Sequence, residues 1–174
     1  IPGLVVNIDV DGGMAINNSG TTTISSGTLR ILNTSVYTQT GAGSITEFNQ
    51  TNSGDMLVDS ALQLQGGILR GRRTISGAGG VNNTGGTVAP GLSGVSAGVL
   101  TFGSYTQGPG GSLSVELGGT TPGSLLTNHD QLSVTGAVTL GGTLNVTLIN
   151  PFAPTTSNSF TVVNATGTVS GTFG

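Results

Sequence analysis

The apolar residues of this chain never keep a helical period for longer than one turn. They alternate with polar residues over three to six positions, and a turn then interrupts them, usually at glycine. Leu4-Val5-Val6-Asn7-Ile8-Asp9-Val10, Ala61-Leu62-Gln63-Leu64-Gln65 and Thr143-Leu144-Asn145-Val146-Thr147-Leu148 show the alternation most cleanly. A period of two puts every second side chain on one face of a strand. Gly-x-apolar triplets recur at Gly27-Thr28-Leu29, Gly67-Ile68-Leu69, Gly111-Ser112-Leu113 and Gly142-Thr143-Leu144. Strands this short cannot bury an apolar face alone, but stacked coils build a continuous interior and pair backbone groups between neighbours. The pattern predicts an all-β chain, a single-stranded β-helix or solenoid over residues 1–174 with looser coils in 1–60. At ~20 residues per coil it would hold about eight or nine coils and measure about 40 Å. The alternative is a β-sandwich, at least in the second half, where 112–117 and 143–148 resemble an antiparallel pair.

Composition narrows the function classes. Charged residues make up 6% of the chain, against about 25% in ordinary soluble domains. Thr, Ser, Asn and Gln take over the solvated positions, which suits stacked strands because like charges on neighbouring strands repel. Lysine is absent, the four cations are Arg30, Arg70, Arg72 and Arg73, and the net charge is -3. Nucleic-acid binding by counterion release needs many cations on one face, so that class is set aside. No apolar run approaches the roughly 18 residues of a membrane-spanning helix. With no cysteine, disulfides and thiolate chemistry are excluded. No signal peptide is visible, and a chain opening at Ile1 reads as a processed or excised piece.

The order of motifs carries a resemblance. Gly85-Gly86-Thr87-Val88-Ala89-Pro90-Gly91, Tyr105-Thr106-Gln107, Leu113-Ser114-Val115-Glu116-Leu117-Gly118-Gly119, Asp130-Gln131-Leu132-Ser133-Val134-Thr135-Gly136 and Leu140-Gly141-Gly142-Thr143-Leu144 follow one another. Together with Gly167-Thr168-Val169-Ser170-Gly171-Thr172-Phe173, they resemble the C-terminal passenger region of bacterial autotransporters and related β-strand-repeat surface proteins. The resemblance covers residues 60–174. It implies a right-handed β-helix displayed outside the cell or at the bacterial surface, and it implies no single activity.

His129 and Asp130 are adjacent, but a catalytic triad needs the carboxylate on the far side of the ring from the nucleophile. Asp130, just before a strand, is expected to accept turn amides. Asp9 with Asp11 and Asp55 with Asp59 are the close acidic pairs that glycan cleavage would require, and each reads as a solvated edge or turn. Asp9-Val10-Asp11-Gly12 opens like a calcium loop without its later ligands. No catalytic residue, cofactor or metal is therefore expected. Arg70, Arg72 and Arg73 form the one charge cluster, suited to an anionic ligand or to pairing with Asp55 or Asp59 on an adjacent coil. Thr21-Thr22-Thr23 and Thr38-Gln39-Thr40 are too few for an ice-binding ladder. Sequons such as Asn33-Thr34-Ser35 and Asn145-Val146-Thr147 follow from composition.

The leading expectation is a non-catalytic extracellular structural module that assembles with itself end to end, with Leu4, Val6, Ile8 and Val10 as a strand able to pair with a neighbour. The alternative is an adhesin binding cell-surface glycan or host protein through loops at 91–98, 118–129 and 150–158, with Tyr37 and Tyr105 as the candidate exposed aromatics. A polysaccharide-degrading enzyme ranks third.

Overall fold

The computed structural model describes residues 8–48, 54–92 and 96–174, which contain strands and no helix. The strands fall into successive coils of three. The first coil holds β1 (Ile8–Val10), β2 (Ala15–Asn18) and β3 (Thr21–Ile24). The second holds β4 (Gly27–Ile31), β5 (Val36–Gln39) and β6 (Ile45–Phe48), and the third β7 (Gly54–Val58), β8 (Leu62–Leu64) and β9 (Ile68–Gly71). The fourth holds β10 (Thr74–Ser76), β11 (Val81–Asn83) and β12 (Thr87–Pro90), and the fifth β13 (Val99–Phe102), β14 (Tyr105–Gln107) and β15 (Ser112–Leu117). The sixth holds β16 (Gln131–Val134), β17 (Val138–Leu140) and β18 (Thr143–Leu148), and the last β19 (Val163–Ala165) and β20 (Val169–Gly171).

Each strand pairs in parallel with the strand three places on. Three sheets result: β1 to β19 with 7 strands, β2 to β20 with 7, and β3 to β18 with 6. This is a β-solenoid with three faces. The sandwich alternative is not adopted: 112–117 and 143–148 do pair, with Ser112 opposite Thr143 and Leu117 opposite Leu148, but in parallel. Among the described residues the coils are also fewer than expected. Met56 lies opposite Ile75, whereas Phe102 lies opposite Val134. Coils therefore vary in length, and seven stacked strands span about 30 Å. The extra residues leave the ladder as loops and do not form more coils.

The core is a set of columns along the axis. In the first sheet Leu29, Met56, Ile75, Phe102, Val134 and Ala165 stack in register. In the second, Leu62, Val81, Tyr105, Val138 and Val169 do so. In the third, Leu69, Val88, Leu113 and Leu144 follow one another. Met56, Ile75, Leu100, Phe102, Leu113 and Leu132 are fully buried. Burying a side chain of this kind stabilises the fold by about 1.5–3 kcal/mol.

One column is polar. Asn18, Gln39, Leu64, Asn83 and Gln107 stack where the second sheet turns into the third, and both glutamines and both asparagines are buried. The Gln39 Nε2 group donates to the carbonyls of Ser44, Gly66 and Ile68, and Thr46 Oγ1 donates to Gln39 Oε1 at 2.6 Å. Gln107 Nε2 likewise donates to the carbonyls of Gly111, Gly141 and Thr143. Each amide thus ties its own turn to the turn of the following coil, satisfying carbonyls that would otherwise be buried unpaired. The aromatic expectation is corrected here: Tyr37 and Tyr105 are both buried. Tyr37 Oη lies 2.7 Å from Thr46 Oγ1, and Tyr105 Oη donates to Gln107 Oε1 at 2.6 Å. Burial pushes the Tyr105 phenol above its ordinary pKa.

Candidate functional site

The loops singled out in the sequence converge on one corner, where the third sheet passes into the first. Ser25-Ser26 and Arg72-Arg73 cross this corner in two of the earlier coils. Residues 91–98, 118–130 and 149–162 cross it in the last three crossings. The other two corners stay short throughout. Loop length at this corner is free to vary because the strands on either side keep their ladder partners.

The corner is stitched to the body. Asp130 Oδ1 accepts the Gly98 N–H at 2.7 Å and Oδ2 accepts the Glu116 N–H at 2.8 Å. The first bond closes the 91–98 loop, in which Leu92 and Ser96 exchange backbone bonds of 3.1 Å. The second fixes the start of the 118–130 loop. His129 Nδ1 lies 3.2 Å from the Gly119 carbonyl oxygen, and its ring meets Phe160 edge-on at 5.5 Å. Phe160 in turn meets Phe152 at 6.0 Å. Arg72 Nη1 donates to the Ser124 carbonyl at 2.7 Å. Burial, reinforced by the Glu116 charge, pushes the Asp130 carboxyl up to about 7 against the pull of its two backbone hydrogen bonds.

This arrangement does not support the chemistry of a triad. Both Asp130 oxygens face backbone amides, and the His129 ring faces a carbonyl and a phenyl edge. The acidic pairs are separated too. Asp9 pairs with Arg30 at 3.1 Å on the adjacent coil, while Asp11 sits in the following turn, where it accepts Asn33 Nδ2 and the Gly12 N–H. Those bonds hold the Asp11 carboxyl below its ordinary range. Asp59 accepts the Asn33 N–H at 2.8 Å, and Asp55 faces the Thr74 N–H at 3.4 Å. Thr21–Thr23 and Thr38–Thr40 belong to different sheets. Among the described residues no group of three His, Asp or Glu side chains is placed to hold a metal.

The arginine cluster is divided among elements. Arg70 points outward from β9 and pairs with Glu47 directly opposite on β6 at 2.6 Å. This inter-coil pair uses Glu47 and not Asp55 or Asp59, because the register sets Glu47 beside Arg70 while both aspartates lie in other parts of the third coil. Arg72 and Arg73 belong to the corner, where burial and the neighbouring Arg73 charge lower the Arg72 pKa.

The ends of the solenoid carry most of the remaining exposed apolar surface. At the C-terminal end Val146, Leu148 and Val169 are 53%, 51% and 56% exposed, although they continue the columns of Val115, Leu117 and Val138, which are buried. At the other end Ile8 and Met14 are exposed. Away from the ends, Leu125 and Leu126 in the 118–130 loop are the exposed large apolar residues among those described. Of the proposed pairing strand, Ile8 and Val10 lie in β1, opposite Leu29 and Ile31. Leu4 and Val6 lie outside the described residues. A glycine-lined notch of about 500 Å³ sits at the second corner between Gly41, Gly66 and Gly85. No helix is long and apolar enough to cross a membrane among the described residues.

Comparison with family models, curated proteins and solved structures returned no match.

Proposed function

We propose that this protein is a non-catalytic structural module of an extracellular bacterial surface assembly, extended end to end into a fibre or stalk. The single observation that carries the reading is the coil-on-coil register: three parallel sheets in which each strand stacks on the strand of the neighbouring coil, a geometry that further coils extend without change. Sedimentation across a wide concentration range, with negative-stain microscopy, tests the reading. Concentration-dependent growth into unbranched filaments is expected, and a protein that stays monomeric at millimolar concentration would overturn it.

A second reading is adhesion through the lateral corner. It is favoured by the convergence of 91–98, 118–130 and 149–162 on one side and by the exposure of Leu125 and Leu126. Exchanging both leucines for serine would abolish binding to a glycan or host-protein array under this reading and leave filament growth unchanged.

A further inference from the structure

The 118–130 loop has a buried base and an exposed tip. Gly118 and Gly119 on one side and His129 and Asp130 on the other are buried, whereas Ser124 to Thr127 are exposed. Backbone bonds zip the base. The Gly118 N–H donates to the Asn128 carbonyl at 2.8 Å, the His129 N–H to the Thr121 carbonyl at 2.9 Å and the Asp130 N–H to the Glu116 carbonyl at 2.9 Å. Asn128 closes the tip: its backbone N–H donates to the Leu125 carbonyl at 3.0 Å, and its Oδ1 accepts the Leu125 N–H at 3.0 Å. The closed turn leaves Leu125 and Leu126 63% and 45% exposed. Two neighbouring leucines fixed in water forgo the stabilisation that burial would bring.

We propose that this tip docks on an anionic phospholipid bilayer, with Leu125 and Leu126 entering the apolar layer and Arg72 meeting the headgroups. The inference rests on the lateral-corner reading above, to which it gives a partner, and is independent of end-to-end growth. Three observations select a bilayer. First, a cation stands at the foot of the apolar pair. Arg72 Nη1 donates to the carbonyl of Ser124, the residue before Leu125, at 2.7 Å, with the Arg73 charge beside it. A guanidinium suits phosphate because it is weakly hydrated and presents a fork of donors. Second, the three long loops of this corner contain no Asp or Glu over 91–98, 118–129 and 149–162, in a chain whose net charge is -3. The Asp130 carboxyl at the base is turned to the amides of Gly98 and Glu116. The corner is thus the place where this acidic chain meets an anionic surface with least repulsion. Third, the exposed pair is aliphatic and sits on a tip, so the partner must take it in, as the interior of a bilayer does. A sugar is held better on an aromatic face, and the corner's Phe152 and Phe160 rings pack against each other.

Neither half of the tip suffices alone. A short apolar insertion gives marginal, reversible binding, and attraction of a basic residue to anionic lipid fades within a screening length. Together they make binding that is reversible, stronger on anionic than on neutral lipid and weakened by salt.

The test is co-sedimentation of the whole chain with vesicles of phosphatidylcholine alone and of phosphatidylcholine mixed with phosphatidylserine. Two variants accompany the wild type, and circular dichroism first establishes that each is folded. Leu125→Ser with Leu126→Ser is expected to lower binding to the mixed vesicles by about tenfold or more. Arg72→Gln keeps the Cγ that packs against Gly98 and is expected to lower it by about fivefold, with no change on phosphatidylcholine alone. Equal binding of the wild type and the leucine variant to mixed vesicles would overturn the inference. A wild type that ignores both vesicles, yet is captured on a glycan or host-protein array through its leucines, would overturn the lipid partner and leave the adhesion reading standing. A wild type that binds neither vesicle nor array would overturn both.

Discussion

Asp130 is the residue whose ionisation bears most directly on the lateral corner. Its carboxyl holds a proton up to about pH 7 in the fold and only up to its ordinary value of 3.8 when free of it. The folded state therefore binds this proton more tightly than the unfolded state. Its contribution to stability is complete below pH 3.8, declines as pH rises, and is lost once pH passes about 7. Glu116 on β15 and His129 beside it in the chain, with Arg72 near Gly98, are the charged or titratable groups around it. Urea midpoints of the wild type are expected to fall between pH 4 and pH 8 by more than those of Asp130→Asn, whose carboxamide is uncharged throughout. An identical fall in both proteins would show that the slope originates elsewhere. The same residue shows what a sequence can reveal. Its place before a strand reads as an acceptor of turn amides; the two backbone amides it accepts come from Gly98, at the end of a loop, and from Glu116, within β15. That one of them, Gly98, lies 32 positions away is set by coil stacking and leaves no local trace.

The strands were legible for a simple reason. Alternation of period two survives in most of them, and in β15 Leu113, Val115 and Leu117 point inward as a local pattern predicts. The buried polar column was not legible. Gln39 and Gln107 read as solvated residues because their partners are carbonyls of the next coil, brought near only by register. Tyr37 and Tyr105 were misplaced for the same reason. A signal was present in the repeat of Tyr-Thr-Gln at 37–39 and 105–107, whose alternation puts the first and third side chains on one face. The corners offer a sharper test. Gly67 has φ +69, and a Cβ there would run into the Ser44 carbonyl and hydroxyl and come within 2.8 Å of Gln39 Nε2. Gly12 has φ +75 with nothing within 4 Å. Gly12→Ala should cost about 1 kcal/mol from backbone strain alone. Gly67→Ala should cost upwards of ~3 kcal/mol, since the corner must open and the Gln39 bonds with it. Similar denaturation midpoints for the two variants would contradict this account.

Across the molecule the alternation indicates a stack of coils, but more of them than the described residues form, since it does not show which residues leave the ladder. The division of labour is uneven. Two corners are held short by glycine and by the polar column. The third absorbs every long insertion without disturbing the strands it joins, as the pairing of β15 with β18 across the 118–130 loop shows. For a flexible connection the cost of added length grows only with its logarithm. Ten Gly/Ser residues placed between Thr156 and Ser157 should therefore lower stability by about 0.5 kcal/mol, read as a small shift in urea midpoint. The same ten between Gly66 and Gly67 should prevent folding. If the chain does form filaments, a peptide or small domain grafted at that third corner would recur once per copy along one side. The protein would then be a ruled rod for displaying foreign sequence at a spacing fixed by the length of one copy.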